Sequence, residues 1–262
     1  MDRILATPET LRRDAPVLPR QDAQHLKALR LKPGQEIELF DGAGAVRPFA
    51  IVPDGGLKAT GAIATFPRPA MRISLYACVS KGSRWDWTIE KAVELGVSRI
   101  VPVISSRTIV RIAPGPERAA KAERWRRVAA DAARQSHAVW LPAVEEPADF
   151  AGAAADAAAA RARGTALFGA FISDPPPPPI LAAWNAECEK RGGAASDAAV
   201  FIGPEGDFSP DETEALAKAG AVPVSLGPTV LRTETAAIYA CAVLAAAGST
   251  GRAAPRRNDA EE

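Results

Sequence analysis

Residues 199–212 read AVFIGPEGDFSPDE, and this stretch decides the fold of the chain. A continuous apolar run ends abruptly in GPEG at 203–206, which predicts a buried strand followed by a tight turn. Ser209 and Glu212 then match a capping box, with Pro210 at the first helical position. The stretch therefore predicts a strand, a turn and a helix start, the junction at which open α/β sheets bind ligands.

A second segment of this kind follows at 222–237, VPVSLGPTVLRTETAA. Its apolar run also ends in Gly-Pro, at Gly227, and the loop after it holds Arg232 and Glu234. The helix expected from about Thr235 is apolar nearly all round, so it must be buried or lie in a dimer interface. Two roles stay open for Arg232: a cation in a ligand pocket, or a helix-capping salt bridge with Glu234.

Neither turn has the motif of a common nucleotide-binding loop. No Gly-Lys-Ser/Thr follows the first turn, which excludes a Walker phosphate loop, and the motif G-x-G-x-x-G is absent. Glycines in both turns let backbone groups approach a ligand closely. A ligand crevice is therefore one interpretation, and a purely structural turn is the other.

The rest of the chain divides into two parts. Residues 1–70 contain an alternating strand and a Gly-rich turn at 35–44, which predict a hairpin within a small barrel or sandwich. Residues 71–250 alternate apolar strands with helices, one of them starting with a capping box at 83–86, which predicts a parallel sheet covered on both faces. The polar tail 251–262 is expected to be disordered.

Composition describes an ordinary globular protein of 262 residues, with 47% apolar residues, 24% charged residues and a net charge of +1. Three well-separated cysteines and two histidines argue against a disulfide framework and against a metal centre. The N-terminus lacks a signal peptide and no apolar run is long enough to span a membrane, so we expect a cytoplasmic location.

These segments together resemble the SPOUT superfamily of RNA methyltransferases, and more closely the RsmE family, which methylates N3 of a uridine in 16S ribosomal RNA. The most specific matches are 203–206, 226–228 and 231–236, and further matches are at 25–30, 40–42, 90–96, 99–102, 124–125 and 132–136. The chain departs from the family pattern at Asp207, where a further glycine is usual, and at His137-Ala138, where Gly-Arg is usual.

The resemblance implies an α/β fold with a C-terminal trefoil-knotted SPOUT methyltransferase domain and a small N-terminal PUA-like RNA-binding β-barrel. It also implies a homodimer, S-adenosyl-L-methionine as cofactor, and 16S rRNA, within the small ribosomal subunit, as partner. The cofactor residues expected from it are Phe168, Ile202, Gly203, Pro204, Glu205, Gly206, Ser225, Leu226, Gly227, Leu231 and Thr235.

Methylation of a uridine at N3 requires removal of the N3 proton or stabilisation of the resulting anion. Arg232 is the candidate for anion stabilisation, because a guanidinium is a fixed cation with a planar fork of donors. Glu205 and Glu234 are the available carboxylates, although neither is a clear general base. Such a transfer needs no metal.

RNA binding must come from local clusters of charge, since the net charge is small. Residues 105–138 hold eight cations against three anions, a net charge of +5, and 1–72 hold a second basic stretch. The alternative for the first cluster is a solvated helix face. The RNA-binding residues expected are Arg12, Arg13, Lys27, Arg30, Lys32, Arg124, Arg127 and Arg134.

Three other functions stay open at the level of sequence. A SPOUT enzyme of another kind would methylate a ribose 2′-oxygen. A non-catalytic ribosome-assembly factor would bind RNA through the N-terminal barrel. A nucleotide-binding α/β protein is disfavoured because the phosphate-loop motifs are absent.

Overall fold

The computed structural model of the chain describes residues 1–28, 30–170, 175–193, 196–248 and 256–257, and its contacts divide them into two compact units. The first unit holds the described residues within 1–68, 133–141 and 256–257, and the second holds those within 69–132 and 142–248. The sequence placed 133–141 in the second domain, whereas the contacts of this segment group it with the first. The chain therefore enters the first unit three times.

The first unit is built on a six-stranded sheet. Its strands are β1 (Asp2–Leu5), β2 (Glu36–Phe40), β3 (Ala45–Ile51), β4 (Leu57–Ala59), β5 (Ala64–Thr65) and the short strand Arg256–Arg257. β1 pairs with β2 in parallel, and all other pairs are antiparallel. Helices α1 (Pro8–Arg12) and α2 (Arg20–Ala28) belong to the same unit. The core contains Ile4, Leu11, Leu26, Ile37, Leu39, Phe49, Ile51 and Leu57.

The predicted hairpin at 35–44 is confirmed, because β2 and β3 pair antiparallel across this turn. The Asp41 carboxylate accepts the N–H of Ala43 at 2.7 Å and that of Ala45 at 2.9 Å. Gly42 and Gly44 have positive φ, 68° and 97°, a region that favours glycine. Local side-chain hydrogen bonds and glycine conformation thus fix this turn.

The second unit contains a seven-stranded sheet in which every pair is parallel. Its strands are β6 (Arg72–Cys78), β7 (Arg99–Ile104), β8 (Ala143–Val144), β9 (Ala148–Asp149), β10 (Thr165–Gly169), β11 (Asp197–Ile202) and β12 (Val222–Val224). Their order is β12-β10-β11-β6-β7-β8, with β9 also on β7. The helices are α3 (Ser83–Glu94), α4 (Pro116–Ser136), α5 (Phe150–Arg163), α6 (Ile180–Lys190), α7 (Pro210–Lys218) and α8 (Thr233–Gly248).

Helices cover this sheet on both faces, as the alternation of strands and helices predicted. α8 packs against β6, β11, α3 and α6, whereas α5 packs against β7, β10, β11 and α7. Successive side chains of a strand point to opposite faces. Tyr76, Cys78, Phe168 and Phe201 accordingly belong to the core cluster that includes the buried alanines of α5. The parallel α/β fold is confirmed.

One predicted helix start is wrong. α3 begins at Ser83, and its cap is Gly82, whose φ of 67° suits glycine and which offers no side-chain acceptor. The capping box expected at 83–86 does not form, because the turn after β6 places Ser83 one position inside the helix.

The predicted disordered tail, 251–262, lies outside the described residues apart from Arg256–Arg257, which pair with β5. Within the described ranges, no helix combines the length and apolar character needed to cross a membrane.

Candidate active site

A cavity of about 350 Å³ opens at the carboxyl ends of three neighbouring strands, β10, β11 and β12. Its lining comes from the residues directly after these strands and from the start of α8. Because parallel strands end at the same edge of a sheet, segments about 30 residues apart in sequence meet there. This is the position at which open α/β sheets bind ligands.

The turn after β11 forms one wall of the cavity and leaves no room for a side chain at Gly203. A Cβ there would lie 3.0 Å from the Asp207 carboxylate and 3.0 Å from the Phe208 nitrogen. Asp207 itself has a φ of 58°, in the left-handed region that favours glycine. Its carboxylate accepts the Phe208 N–H at 2.8 Å, a local bond that helps an aspartate adopt this conformation.

The helix start after this turn is built as predicted. Ser209 Oγ accepts the N–H of Glu212 at 3.2 Å, and Glu212 Oε2 accepts the N–H of Ser209 at 2.9 Å. Pro210 occupies the first turn of α7. The capping box is therefore confirmed, and it fixes where the turn ends.

The loop after β12 forms the second wall. Gly227 has a φ of 126°, so this loop requires glycine at that point. The backbone of Ser225 pairs with the end of the proline-rich segment: its N–H donates to Pro178 O at 2.9 Å, and its carbonyl accepts the Ile180 N–H at 3.1 Å. The proline run at 175–179 thus supports the loop next to the cavity.

The start of α8 joins the two walls. Thr233, which is buried and lines the cavity, donates its hydroxyl to Gly203 O at 3.2 Å. The next residue, Glu234, is also buried, and its carboxylate lies 3.7 Å from Arg84 Nε of α3. The helix-capping salt bridge between Arg232 and Glu234 is therefore wrong, because the first turn of α8 aims Glu234 at α3.

The cavity brings together nine of the eleven predicted cofactor residues. Those that line it are Ile202, Gly203, Pro204, Glu205, Gly206, Ser225, Leu226, Gly227 and Leu231. Phe168 and Thr235 are not part of the lining. Phe168 is buried in the core of the unit, 2% exposed, because the register of β10 turns it toward α5. Thr235 is exposed one turn into α8.

Several lining residues were missed by the sequence reasoning: Gly169, Ala170, Asp207, Thr229, Val230, Thr233 and Ala236. Gly169 and Ala170 could have been found from the short apolar strand that they follow. The others are neighbours of predicted residues along the chain. A Cβ on Gly169 would lie 3.1 Å from Leu226 Cδ1, so glycine allows the two loops to approach.

The two candidate catalytic residues, Glu205 and Arg232, differ in that the cavity lining includes Glu205 and not Arg232. Glu205 is exposed and lines the cavity. Arg232 is exposed between two lining residues, Leu231 and Thr233. Its carbonyl accepts the Ala236 N–H at 2.8 Å, and its guanidinium contacts no ion-pair partner in the part of the chain that the structure describes. The Arg232 side chain is thus available to a ligand.

The predicted RNA-binding cations within residues 1–68 are all exposed: Arg12, Arg13, Lys27, Arg30 and Lys32. None of them forms an ion pair with another described residue. Their charge is therefore available to a phosphate backbone.

The predicted RNA-binding cations of α4 are largely engaged. Arg124 forms a two-fold hydrogen bond with both carboxylate oxygens of Asp86, which raises the pKa of Arg124. Arg134 has an interaction partner of its own. Arg127 is exposed, and within the described residues its guanidinium reaches only the carbonyl of Glu123 in its own helix, at 3.5 Å.

The three cysteines are free, and burial raises the pKa of Cys78 to about 11 and that of Cys241 to about 12. Both thiols therefore stay protonated near neutral pH. Among the described residues, no group of His, Cys, Asp and Glu side chains is arranged to hold a metal ion.

Comparison with known proteins shows which family has this arrangement. The model of the RNA methyltransferase domain matches residues 67–245, and the model of the RNA methyltransferase PUA domain matches residues 18–59. A Mycobacterium bovis protein named ribosomal RNA small subunit methyltransferase E (RsmE) is 30% identical over 220 residues, 80% of this chain and 78% of the relative. The chain belongs to the RsmE family.

Other RsmE proteins extend the match over almost the whole chain. The Synechocystis protein is 26% identical, and the match covers 92% of this chain and 76% of the relative. The crystal structure of Neisseria gonorrhoeae RsmE bound to S-adenosyl methionine is 30% identical, with a TM-score of 0.74 over 94% of this chain and 98% of that one. A Legionella pneumophila protein, named as a methyltransferase and solved with bound SAM, has a TM-score of 0.74 at 29% identity.

Proposed function

We propose that this chain transfers a methyl group from S-adenosyl-L-methionine to N3 of a uridine in 16S rRNA of the small ribosomal subunit. The observation that carries the proposal is the glycine-walled cavity at the ends of β10, β11 and β12, with Arg232 beside it and without an ion-pair partner among the described residues. Family membership supports the reaction, and the N. gonorrhoeae relative supports the cofactor.

The cavity fits this cofactor by size and by lining. A volume of about 350 Å³ lies within the range of small-molecule sites. The backbone N–H groups of Glu205, Gly206 and Leu226 form no hydrogen bond within the described part of the chain, so they are available to the polar parts of the cofactor. Ile202, Leu226 and Leu231 offer apolar contact to its rings. A Cβ at Gly203 would crowd the first wall, so the cradle depends on glycine.

When bound, S-adenosylmethionine supplies a methyl group activated by a positively charged sulfur. The protein must then place the uracil N3 in line with this methyl group, and positioning of this kind accounts for much of the rate of such transfers. The Thr233 hydroxyl holds the first wall to α8, so the two walls keep a fixed spacing. To expose N3, the uridine must be unpaired and turned out of its stack.

Arg232 and Glu205 are the residues of this chain that we assign to the chemistry. Arg232 stabilises the uracil anion that forms as the N3 proton leaves, because its guanidinium is exposed and has no partner among the described residues. Two carboxylates line the cavity, Glu205 and Asp207. Because the Asp207 carboxylate accepts the Phe208 N–H, we assign the role of proton acceptor to Glu205. Glu234 is buried and directed toward Arg84, so it takes neither role.

The exposed cations of the first unit would bind the RNA backbone, and the PUA domain match at 18–59 supports this part of the proposal. We place the protein in the cytoplasm, where small ribosomal subunits are made. Three free cysteines are consistent with a reducing compartment.

We further propose a trefoil knot, a PUA-like barrel and a homodimer. For the knot, the support is that the segment after β12 contacts both residues 178–180 and the turn at Gly203. The PUA domain match supports the barrel. For the dimer, the support is α8: its inner face is buried, whereas Tyr239 on its outer face is 43% exposed. An apolar helix with an exposed aromatic side chain is typical of a subunit interface.

The decisive experiment uses small ribosomal subunits from cells that lack this protein, purified protein and S-adenosylmethionine labelled on the methyl group. We expect incorporation of one methyl group per subunit, and mass spectrometry of the digested RNA should locate it on uracil N3. Label on a ribose would support 2′-O methylation instead. No incorporation, together with no heat of S-adenosylmethionine binding in calorimetry, would support the non-catalytic assembly factor.

The same assay tests Arg232. We expect Arg232→Ala to lower methyl transfer by about 100-fold while the Kd for S-adenosylmethionine changes less than about twofold, since the guanidinium acts on the uracil. Arg163→Ala is the matched control, because Arg163 is an exposed cation of the same unit, remote from the cavity lining. Unchanged turnover of Arg232→Ala would remove Arg232 from the mechanism.

A further inference from the structure

A side chain of the loop after β7 bonds to the turn after β11, and a side chain at the start of α7 bonds back to the loop after β7. Arg107, in the loop after β7, donates from Nη1 to the carbonyl of Gly206 at 2.8 Å and to that of Phe208 at 3.3 Å. In return, Glu212 at the start of α7 accepts the N–H of Ser106 on Oε1 at 2.8 Å. The two loops are thus linked by three hydrogen bonds, each of which involves a charged group.

These bonds act on the turn that lines the cavity. Gly206 and Asp207 belong to the lining, and Arg107 holds the carbonyls on both sides of Asp207. Asp207 has a φ of 58°, a conformation that costs free energy for a residue with a side chain. A turn of this kind keeps its shape only when surrounding groups hold it, and Arg107 supplies two of those contacts.

The role of Arg107 differs from that of its neighbour Arg111. Both are exposed cations in the basic window 105–138. Arg107 uses its guanidinium for the turn, whereas Arg111 has no hydrogen bond or ion pair with any residue that the structure describes. The sequence does not distinguish the roles of Arg107 and Arg111, because the partners of Arg107 lie about 100 positions further along the chain.

We propose that Arg107 is a positioning residue for the cofactor: by holding the Gly206 and Phe208 carbonyls, it sets the affinity of the cavity for S-adenosylmethionine rather than for RNA. Arg107 does not line the cavity, so it acts through the turn. The proposal rests on the proposed function for the identity of the cofactor. The proposal links the loop after β7, which holds Arg107, to the turn after β11, which forms one wall of the cavity.

The test is calorimetric titration of the full chain with S-adenosylmethionine, using Arg107→Ala, Arg107→Lys and the control Arg111→Ala. We expect the Kd of Arg107→Ala to rise about tenfold, because the turn loses both hydrogen bonds and part of the binding energy is then used to hold its shape. Arg107→Lys keeps a donor and should recover part of the loss, and Arg111→Ala should stay within about twofold of the wild type.

Kinetics separate a positioning role from general damage to the fold. For Arg107→Ala, KM for S-adenosylmethionine should rise about tenfold while kcat at saturating cofactor stays within about twofold of the wild type. Three results would overturn the proposal: an unchanged Kd for Arg107→Ala, an equal loss in Arg111→Ala, or weaker RNA binding with unchanged cofactor affinity. Failure of the wild type to bind the cofactor would instead reject the proposed function.

Discussion

The basic stretch at residues 12–32 and the basic helix α4 each carry several cations in the sequence, but those cations differ in what they contact. Lys27, Arg30 and Lys32 are exposed and form no ion pair within the described part of the first unit. In α4, by contrast, Arg118 pairs with Asp149, and Arg124 pairs with Asp86. The net charge of a window therefore overstates what a partner can bind, because folding neutralises some of the charges.

The difference has a structural origin. Most of α4 lies in the second unit, where its arginines meet the carboxylates of neighbouring elements and backbone carbonyls such as those of Val144 and Pro147. The predicted RNA-binding cations at 12–32 lie on two short helices and in the segments next to them, and they are exposed. We therefore expect RNA affinity to depend on the first unit and stability to depend on α4.

The largest effect is expected from Arg13→Ala, Lys27→Ala and Lys32→Ala combined. Loss of three phosphate contacts should weaken RNA binding by roughly tenfold or more and lower the slope of log K against log salt by about 2. The measurement is filter binding of a small-subunit rRNA fragment at several salt concentrations. A triple variant with wild-type affinity and slope would show that these cations do not bind the RNA. Unchanged binding of S-adenosylmethionine is the control for folding.

A smaller effect is expected from Arg124→Ala. The substitution leaves the Asp86 carboxylate, which is 20% exposed, without its cation, so the free energy of unfolding should fall by about 1 kcal/mol. RNA affinity should change less than about twofold. Urea denaturation and the same binding assay measure the two quantities. Loss of RNA affinity at unchanged stability would assign Arg124 to the RNA and remove the contrast.

The smallest effect is expected from Arg127→Ala. Its guanidinium is exposed and, in the part of the chain that the structure describes, bonds to one carbonyl of its own helix, so the free energy of unfolding should stay within about 0.5 kcal/mol of the wild type. RNA affinity should stay within about twofold. This variant complements Arg124→Ala, because Arg127 has no ion pair with another described residue whereas Arg124 pairs with Asp86. An effect as large as that of the triple variant would place RNA on α4.

Local patterns predicted the parts of the fold that are determined by neighbouring residues. The capping box of Ser209 and Glu212 and the hairpin turn after β2 are both confirmed. Apolar runs that alternate with helices predicted the parallel sheet of the second unit. The start of α3 was wrong, since Ser83 carries the residue type of a cap but not its position.

The cavity was predicted in part. Both Gly-Pro turns were identified, because glycine and proline at strand ends mark such turns in any sequence. Gly169 ends a short apolar strand, and it was missed because no Gly-Pro turn follows to mark that strand end. Phe168 was placed in the pocket, whereas the register of β10 turns it into the core. Side-chain direction in a central strand depends on both neighbouring strands, so single-strand patterns do not decide it.

By itself, the sequence determined the order of strands, turns and helices, the positions at which glycine is required and the family to which the chain belongs. Periodicity, capping and turn chemistry act over a few residues, and they can be read directly. Only the tertiary structure decided which charges are free and which are paired. The bonds of Arg107 to the turn after β11 cross 99 residues or more, and such partners become neighbours only when the sheet brings its strand ends together.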